Sequence, residues 1–248
     1  MLEGKTALVT GSSRGIGRAI AESFADHGAD VAVNHHPDDD PGDAVVAAVE
    51  DAGGAAIDVG ADVADPDEAE QLVDRTRNEL GRIDVLVNNA GIFPRKGWES
   101  MDRTVWDRVL DVNLGGLFCV SRLVLPAMAD HGSGAVVNMA STWGLQGGTV
   151  DPAYTASKGG IVAVTRQMCH AFAADGVRVN AISPGAVKTD LNAELREDDE
   201  YVTEVREAVP AGRFGEPSDV AGVATFLVSD MAGYVNGENV VVDGGATA

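Results

Sequence analysis

The chain has 248 residues, 45% of them hydrophobic, enough to bury a sizeable core in one large α/β domain spanning residues 1–248. Thirty-nine acidic against 18 basic residues leave a net charge of −21, which excludes nucleic acid and anionic membranes as partners, because either polyanion would repel it. Only four of the basic residues are lysines and the acids are spread along the chain, as on a halophile's solvated surface.

From the N-terminus the chain passes at once into Lys5-Thr-Ala-Leu-Val-Thr10, with no charged and apolar leader and no run of about 18 apolar residues after it. A soluble, cytoplasmic protein is expected. Short β-branched runs then alternate with amphipathic helical stretches. Strands are predicted at Thr6–Thr10, Asp30–Asn34, Ala55–Val59, Val85–Asn88, Ala135–Ala140, Val177–Ile182 and Asn239–Val242. Ile16, Ile20 and Phe24 mark one face of the first helix, which ends at Gly28. Further helices are predicted at Gly42–Asp51, at Pro66–Leu80 behind an Asp65 cap, and over Thr104–Asp130 and Pro152–Ala174. The pattern is that of an α/β fold of the Rossmann type, a doubly wound sheet of seven parallel strands with helices on both faces. Cys119 and Cys169 fall inside apolar helical patterns and are read as free thiols without chemistry; no residue is assigned to a metal.

Thr10-Gly-Ser-Ser-Arg-Gly-Ile-Gly17 follows a strand and opens a helix, so Gly11, Gly15 and Gly17 can bring backbone N–H groups against a pyrophosphate. A glycine turn alone is weak. Here Asp62-Val63 lies beyond the third strand and Asn88-Asn-Ala-Gly91 beyond the fourth, at the carboxyl ends where open α/β sheets bind ligands. No carboxylate stands at Asn34, His35 or His36 after the second strand to grip ribose hydroxyls, and Arg14 can pair with a phosphate. NADP(H) is therefore favoured, with NAD(H) as the alternative, and a carboxylate placed at His35 is expected to lower the NADP/NAD ratio of kcat/KM by roughly ten- to a thousandfold.

Tyr154 and Lys158 are one helical turn apart, thirteen and seventeen residues after Ser141. An ammonium beside a phenol is expected to pull the phenol's pKa down toward working pH, with Ser141 holding the substrate oxygen while Tyr154 passes the proton. Such a pair also occurs on ordinary helix surfaces; what raises it here is the nucleotide crevice. Asn113, within Val105–Val120, reads equally as a tolerated polar residue or a local bend. Trp143 can stack on a sugar ring or fill a pocket wall.

With the Thr-Gly-x-x-x-Gly-x-Gly, Asn-Asn-Ala-Gly and Tyr-x-x-x-Lys segments all present in order, the sequence resembles the short-chain dehydrogenase/reductase family over essentially its whole length. The resemblance implies a catalytic tetrad of Asn113, Ser141, Tyr154 and Lys158, in which the Asn113 backbone holds a water linking Lys158 to a proton relay. It further implies cofactor contacts from the glycine turn, including Ser13 and Ile16. Asp62 and Val63 would meet the adenine; Asn89, Ala90, Gly91 and Lys158 the nicotinamide ribose; Pro184, Gly185, Val187 and Thr189 the carboxamide. A homotetramer and a small-molecule substrate also follow from it. The family's variable substrate loop corresponds to residues 188–212, rich in acids here. Likenesses within the family run to 3-oxoacyl-carrier-protein reductases and to glucose 1-dehydrogenases. Segments such as Val33-Asn-His-His36 and Gly212-Arg-Phe-Gly-Glu-Pro217 lean toward the sugar enzymes. The competing reading is a non-catalytic nucleotide-binding protein of the same fold, against which an intact Ser141, Tyr154 and Lys158 argue.

Overall fold

The computed structural model describes residues 1–248. Seven parallel strands, β1 (Thr6–Val9), β2 (Asp30–His35), β3 (Ala56–Gly60), β4 (Ile83–Asn88), β5 (Gly134–Met139), β6 (Val177–Pro184) and β7 (Asn239–Val242), form one sheet in the order β3-β2-β1-β4-β5-β6-β7. The predicted strands are all present, with ends shifted by no more than two residues. Successive side chains of a strand point to opposite faces, and both faces are buried. Thus Ala7 and Val9 of β1 enter one core cluster and Leu8 the other.

On the first face lie α1 (Gly15–Asp26), α2 (Asp43–Asp51) and α9 (Pro217–Val228); α3 (Pro66–Leu80), α5 (Gly116–His131) and α7 (Pro152–Phe172) cover the second. Between them come α4 (Arg103–Leu110), the short α6 (Trp143–Gln146) and α8 (Asp199–Ala208). Gly28, at φ +93°, follows the end of α1 in the left-handed region that favours glycine. The sequence reading missed α9, although its Glu216–Asp219 capping box and Pro217 in the first turn are start signals. It packs heavily on α1 and places Val220, Ala224 and Leu227 in the core.

The helix predicted over Thr104–Asp130 runs from Arg103 to His131, but not as one regular α-helix. Residues Asp111–Gly115 form a wider π-turn between α4 and α5, and Asn113 sits in it. By length and composition this helix is apolar enough to cross a bilayer, with mean hydropathy 1.5, yet half of its apolar window is buried against the rest of the fold. Burial on the sheet explains its composition.

Candidate active site

The chain order crosses over at β1, whose neighbours are β2 and β4, so a crevice opens where the connections after β1 and β4 diverge. Hydrogen bonds fix its floor. The Asn89 and Ala90 N–H groups donate to Thr10 Oγ1 at 3.0 Å, and Asn89 Nδ2 donates to the Thr10 and Gly11 carbonyls at 2.9 and 2.8 Å. Gly11 has φ +61°, and a Cβ there would stand 2.9 Å from Ala90 Cα, so this approach requires glycine.

The crevice holds a cavity of about 450 Å³ lined by Gly11, Ser13, Arg14, Gly15, Ile16 and Gly17 on one side and Asn89, Ala90 and Gly91 on another. Helix α1 begins at its edge, and in a chain with 39 acids it has neither a capping side chain nor an acidic residue in its first turn. By contrast α3 is capped by Asp65, with Asp67 and Glu68 behind it. The α1 end therefore leaves its N–H groups and positive dipole free for an anion, which is what a pyrophosphate requires.

At the adenosine end the predicted residues divide. Asn34 is buried: its Oδ1 accepts from Gly11 N–H at 3.1 Å, while its Nδ2 donates to the carbonyls of His35, Val59 and Ala61. It braces the turn from behind. His35 is also engaged, with Nδ1 donating to the His36 carbonyl at 2.8 Å and Nε2 lying 3.2 Å from the Asp58 carboxylate. His35 and His36 both line the cleft, and a carboxylate at position 35 would also stand close to Asp58. Arg14, expected to await a phosphate, is paired with Asp39 at 3.2 Å. Asp62 binds Arg108 at 3.0 Å and lies 3.7 Å from His36 Nε2. Burial pushes the Asp62 carboxyl up, but hydrogen bonds from Ala64 and Arg108 and the nearby positive charge outweigh it and hold the pKa below the ordinary value. Val63, although largely buried, also lines the cleft. Among the residues expected over the carboxamide, Thr189 lines the cleft, whereas Val187 lines a separate cavity behind the loop; Pro184 and Gly185 line neither.

The chemical end is assembled by α7 and the π-turn. Asn113 Oδ1 accepts from Ile92 N–H at 2.8 Å, and its Nδ2 donates to the Ile92 carbonyl and to Ser157 Oγ, both at 3.1 Å. Its side chain thus ties the π-turn to the strand-β4 loop and to α7. Wide turns of this kind recur at functional sites because they shift the helix register. Lys158, 5% exposed, donates from Nζ to the Met139 carbonyl at 2.7 Å and lies 5.5 Å from the Tyr154 ring centroid. Burial lowers its pKa to about 8. Tyr154 does not have the depressed pKa expected beside an ammonium. Burial pushes it up and the Asp151 charge adds to this, while the Ser141 side chain pulls it partly back. Phe93, 4.6 Å from Tyr154 and 5.2 Å from Trp143, completes an aromatic wall, so Trp143 packs as pocket lining in the free protein.

Sequence reasoning missed Asp151. It caps α7, accepting the Tyr154 N–H at 2.9 Å from a strained backbone at φ +61°, and its second carboxylate oxygen is buried without a partner. An Asp directly before Pro152 was the available signal. Asp39, Arg108 and Phe93 were also missed, and nothing in their local spacing marks them.

The seven acids of the substrate loop, Glu194, Glu197, Asp198, Asp199, Glu200, Glu204 and Glu207, are all exposed around half-buried Tyr201, Val202 and Val205. Arg95 Nη2 donates to the Leu191 carbonyl at 2.9 Å and joins this loop to the strand-β4 loop.

Comparison with known proteins bears on this arrangement. The profile of a family described as enoyl-(acyl carrier protein) reductase matches residues 11–247. The L-rhamnose 1-dehydrogenase (NAD(P)(+)) of Sphingomonas sp. (strain SKA58) is 40% identical over 246 residues, 99% of this chain and 97% of that protein. The chain belongs to the short-chain dehydrogenase/reductase family. Another member, the 3-oxoacyl-(acyl-carrier-protein) reductase FabG of Staphylococcus epidermidis, is 38% identical over 241 residues, covering 97% of this chain and 98% of that one. Among solved structures, a candidate NAD(P)-dependent gluconate 5-dehydrogenase from Beutenbergia cavernae, with NADP bound at low occupancy, superposes with a TM-score of 0.92. It shares 44% identity and covers 99% of this chain and 97% of its own. This short-chain dehydrogenase/reductase is thus an NAD(P)-dependent oxidoreductase acting between alcohol and carbonyl groups.

Proposed function

We propose that this short-chain dehydrogenase/reductase interconverts a small, uncharged polyhydroxylated alcohol, a sugar, and its carbonyl form, with NADP(H) favoured and NAD(H) accepted. The nicotinamide cofactor supplies or receives the hydride. Glycine turn, α1 N-terminus and the Asn89–Gly91 loop hold it, with Asp62 and Val63 at the adenine end and Thr189 over the other. Ser141 holds the substrate oxygen, Tyr154 donates or takes the hydroxyl proton, and Lys158 binds the nicotinamide ribose and serves the relay that Asn113 anchors. Residues 1–248 act as one domain, in which 188–212 is the substrate loop.

The observation that carries the substrate class is the rim of seven exposed carboxylates on that loop in a chain of net charge −21. An acyl thioester on an anionic carrier must approach this rim against repulsion, whereas a small sugar does not. Spectrophotometric assays of aldoses, aldonates, polyols and 3-oxoacyl thioesters with each nucleotide test the reading. A sugar-type substrate is expected to exceed every thioester in kcat/KM by tenfold or more. A thioester that leads the panel overturns it.

The chain also assembles as a homotetramer. Phe118 on α5, 59% exposed, marks one apolar face, and Phe226, Met231, Tyr234 and Val241 around α9 and edge strand β7 mark a second. Two distinct faces of one chain build a closed tetramer of two-fold interfaces. Light scattering at molar salt is expected to give four chain masses, and a monomer refutes the assembly. The acid-rich, lysine-poor composition fits a salt-rich cytoplasm.

A further inference from the structure

We infer that Asp39 is a built-in competitor for the 2′-phosphate of NADP(H), a latch on Arg14 that sets how far this protein discriminates between the two nicotinamide nucleotides. The inference rests on reading the cleft as the nucleotide site.

The latch is made by a tight turn. His36 accepts a hydrogen bond from the Asp39 N–H at 2.9 Å, with Pro37 at the turn's second position, where a fixed φ suits it. The turn folds the Asp39 carboxylate back across the mouth of the cleft to within 3.2 Å of Arg14 Nη2. Both residues line the cavity. The other arginine of this end, Arg108, is held by Asp62, whose carboxylate also takes the Ala64 N–H and is fixed in place. Asp39 differs: its side chain has Arg14 as its sole hydrogen-bond and ion-pair partner and is 39% exposed, so it is free to swing out.

A 2′-phosphate entering beside Arg14 must therefore compete with this carboxylate for the guanidinium and leave Asp39 close to a dianion, whether still paired or displaced. An adenosine ribose with free hydroxyls asks for no such exchange, and the Arg14–Asp39 pair survives its arrival. The carboxylate that tempers the preference for NADP(H) thus comes to Arg14 from five residues beyond Asn34, through a turn, instead of from the end of β2.

Two nucleotide fragments isolate this step from catalysis. Calorimetry at low salt compares the affinities for adenosine 2′,5′-bisphosphate and 5′-AMP in the parent, Asp39→Asn, Arg14→Leu and the double variant, each checked for an unchanged thermal midpoint. Asp39→Asn is expected to raise the affinity ratio for the bisphosphate about tenfold, equivalent to about 1.4 kcal/mol. In the Arg14→Leu background the same change is expected to give a threefold gain or less, because only residual repulsion is then removed. A ratio within twofold of the parent's in Asp39→Asn overturns the latch. So does an equal gain with and without Arg14, since the carboxylate would then act without engaging the guanidinium. If the parent binds neither fragment, the cleft is not an adenosine site and the nucleotide reading falls together with the latch.

Discussion

Replacing Tyr154 by Phe is expected to lower kcat by about a thousandfold while nucleotide affinity stays within twofold of the parent. The phenol oxygen is the only atom lost. The ring that packs 4.6 Å from Phe93 stays, as does the N–H capped by Asp151, so α7 keeps its place and the cleft its shape. A positioned acid or base is worth roughly a hundred- to ten-thousandfold. The raised pKa of Tyr154 adds a directional signature. Carbonyl reduction needs the protonated phenol, so its rate is expected to stay flat through neutral pH and decline only well into the alkaline range. Steady-state kinetics with nucleotide titration check both parts. A variant that retains a tenth or more of the parent's kcat contradicts the role.

Lys158→Met is expected to abolish turnover and at the same time to stabilise the free protein near neutral pH. In the fold the lysine titrates at about 8 against 10.5 unfolded, so between those values the unfolded chain binds more protons and stability rises with pH. Below about pH 8 the full cost of burying the ammonium applies, on the order of 3 kcal/mol. The hydrogen bond to the Met139 carbonyl, worth about 1.5–3 kcal/mol for a charged donor, offsets part of that cost, and methionine fills the volume without a charge. A net gain of up to about 1.5 kcal/mol at pH 7 follows, shrinking as the pH rises toward 10. Urea unfolding of both proteins at the two pH values measures it. A variant less stable at pH 7 by the same margin as at pH 10 rules the account out.

The sheet was legible because each strand carries its own signal. Runs such as Val31-Ala-Val33 and Val85-Leu-Val87 are β-branched and apolar on both faces, as a doubly covered parallel sheet demands, and glycines or acids bracket them. The glycine turn and the Tyr154–Lys158 pair were readable for a related reason: their spacing is local, within a turn or one helix, while Ser141 stood out by its place just beyond β5. What stayed hidden depends on contacts between distant segments. Arg14 meets Asp39 because of a turn after β2, Arg108 meets Asp62 across 46 positions of chain, and His35 faces Asp58 because of the register of β2 on β3. The rise in the Tyr154 pKa was missed similarly, since helical spacing gives the distance to Lys158 but not how deeply both are buried. Asn113 needed the π-turn, which sequence periodicity does not encode.

The brace behind the glycine turn bears on how fast the nucleotide comes and goes. Asn34 fastens the Gly11 N–H to the carbonyls at the edge of β3, and Thr10 and Asn89 lock the opposite wall, all in the free protein. The backbone that meets the pyrophosphate is therefore ordered when the chain folds, and no entropy of loop closure is left to be lost on capture. Encounter at the adenosine end then behaves as docking onto a rigid surface, and the slow motion in each turnover falls to the 188–212 segment, whose contacts with the strand-β4 loop reduce to such single bonds as that from Arg95 to Leu191.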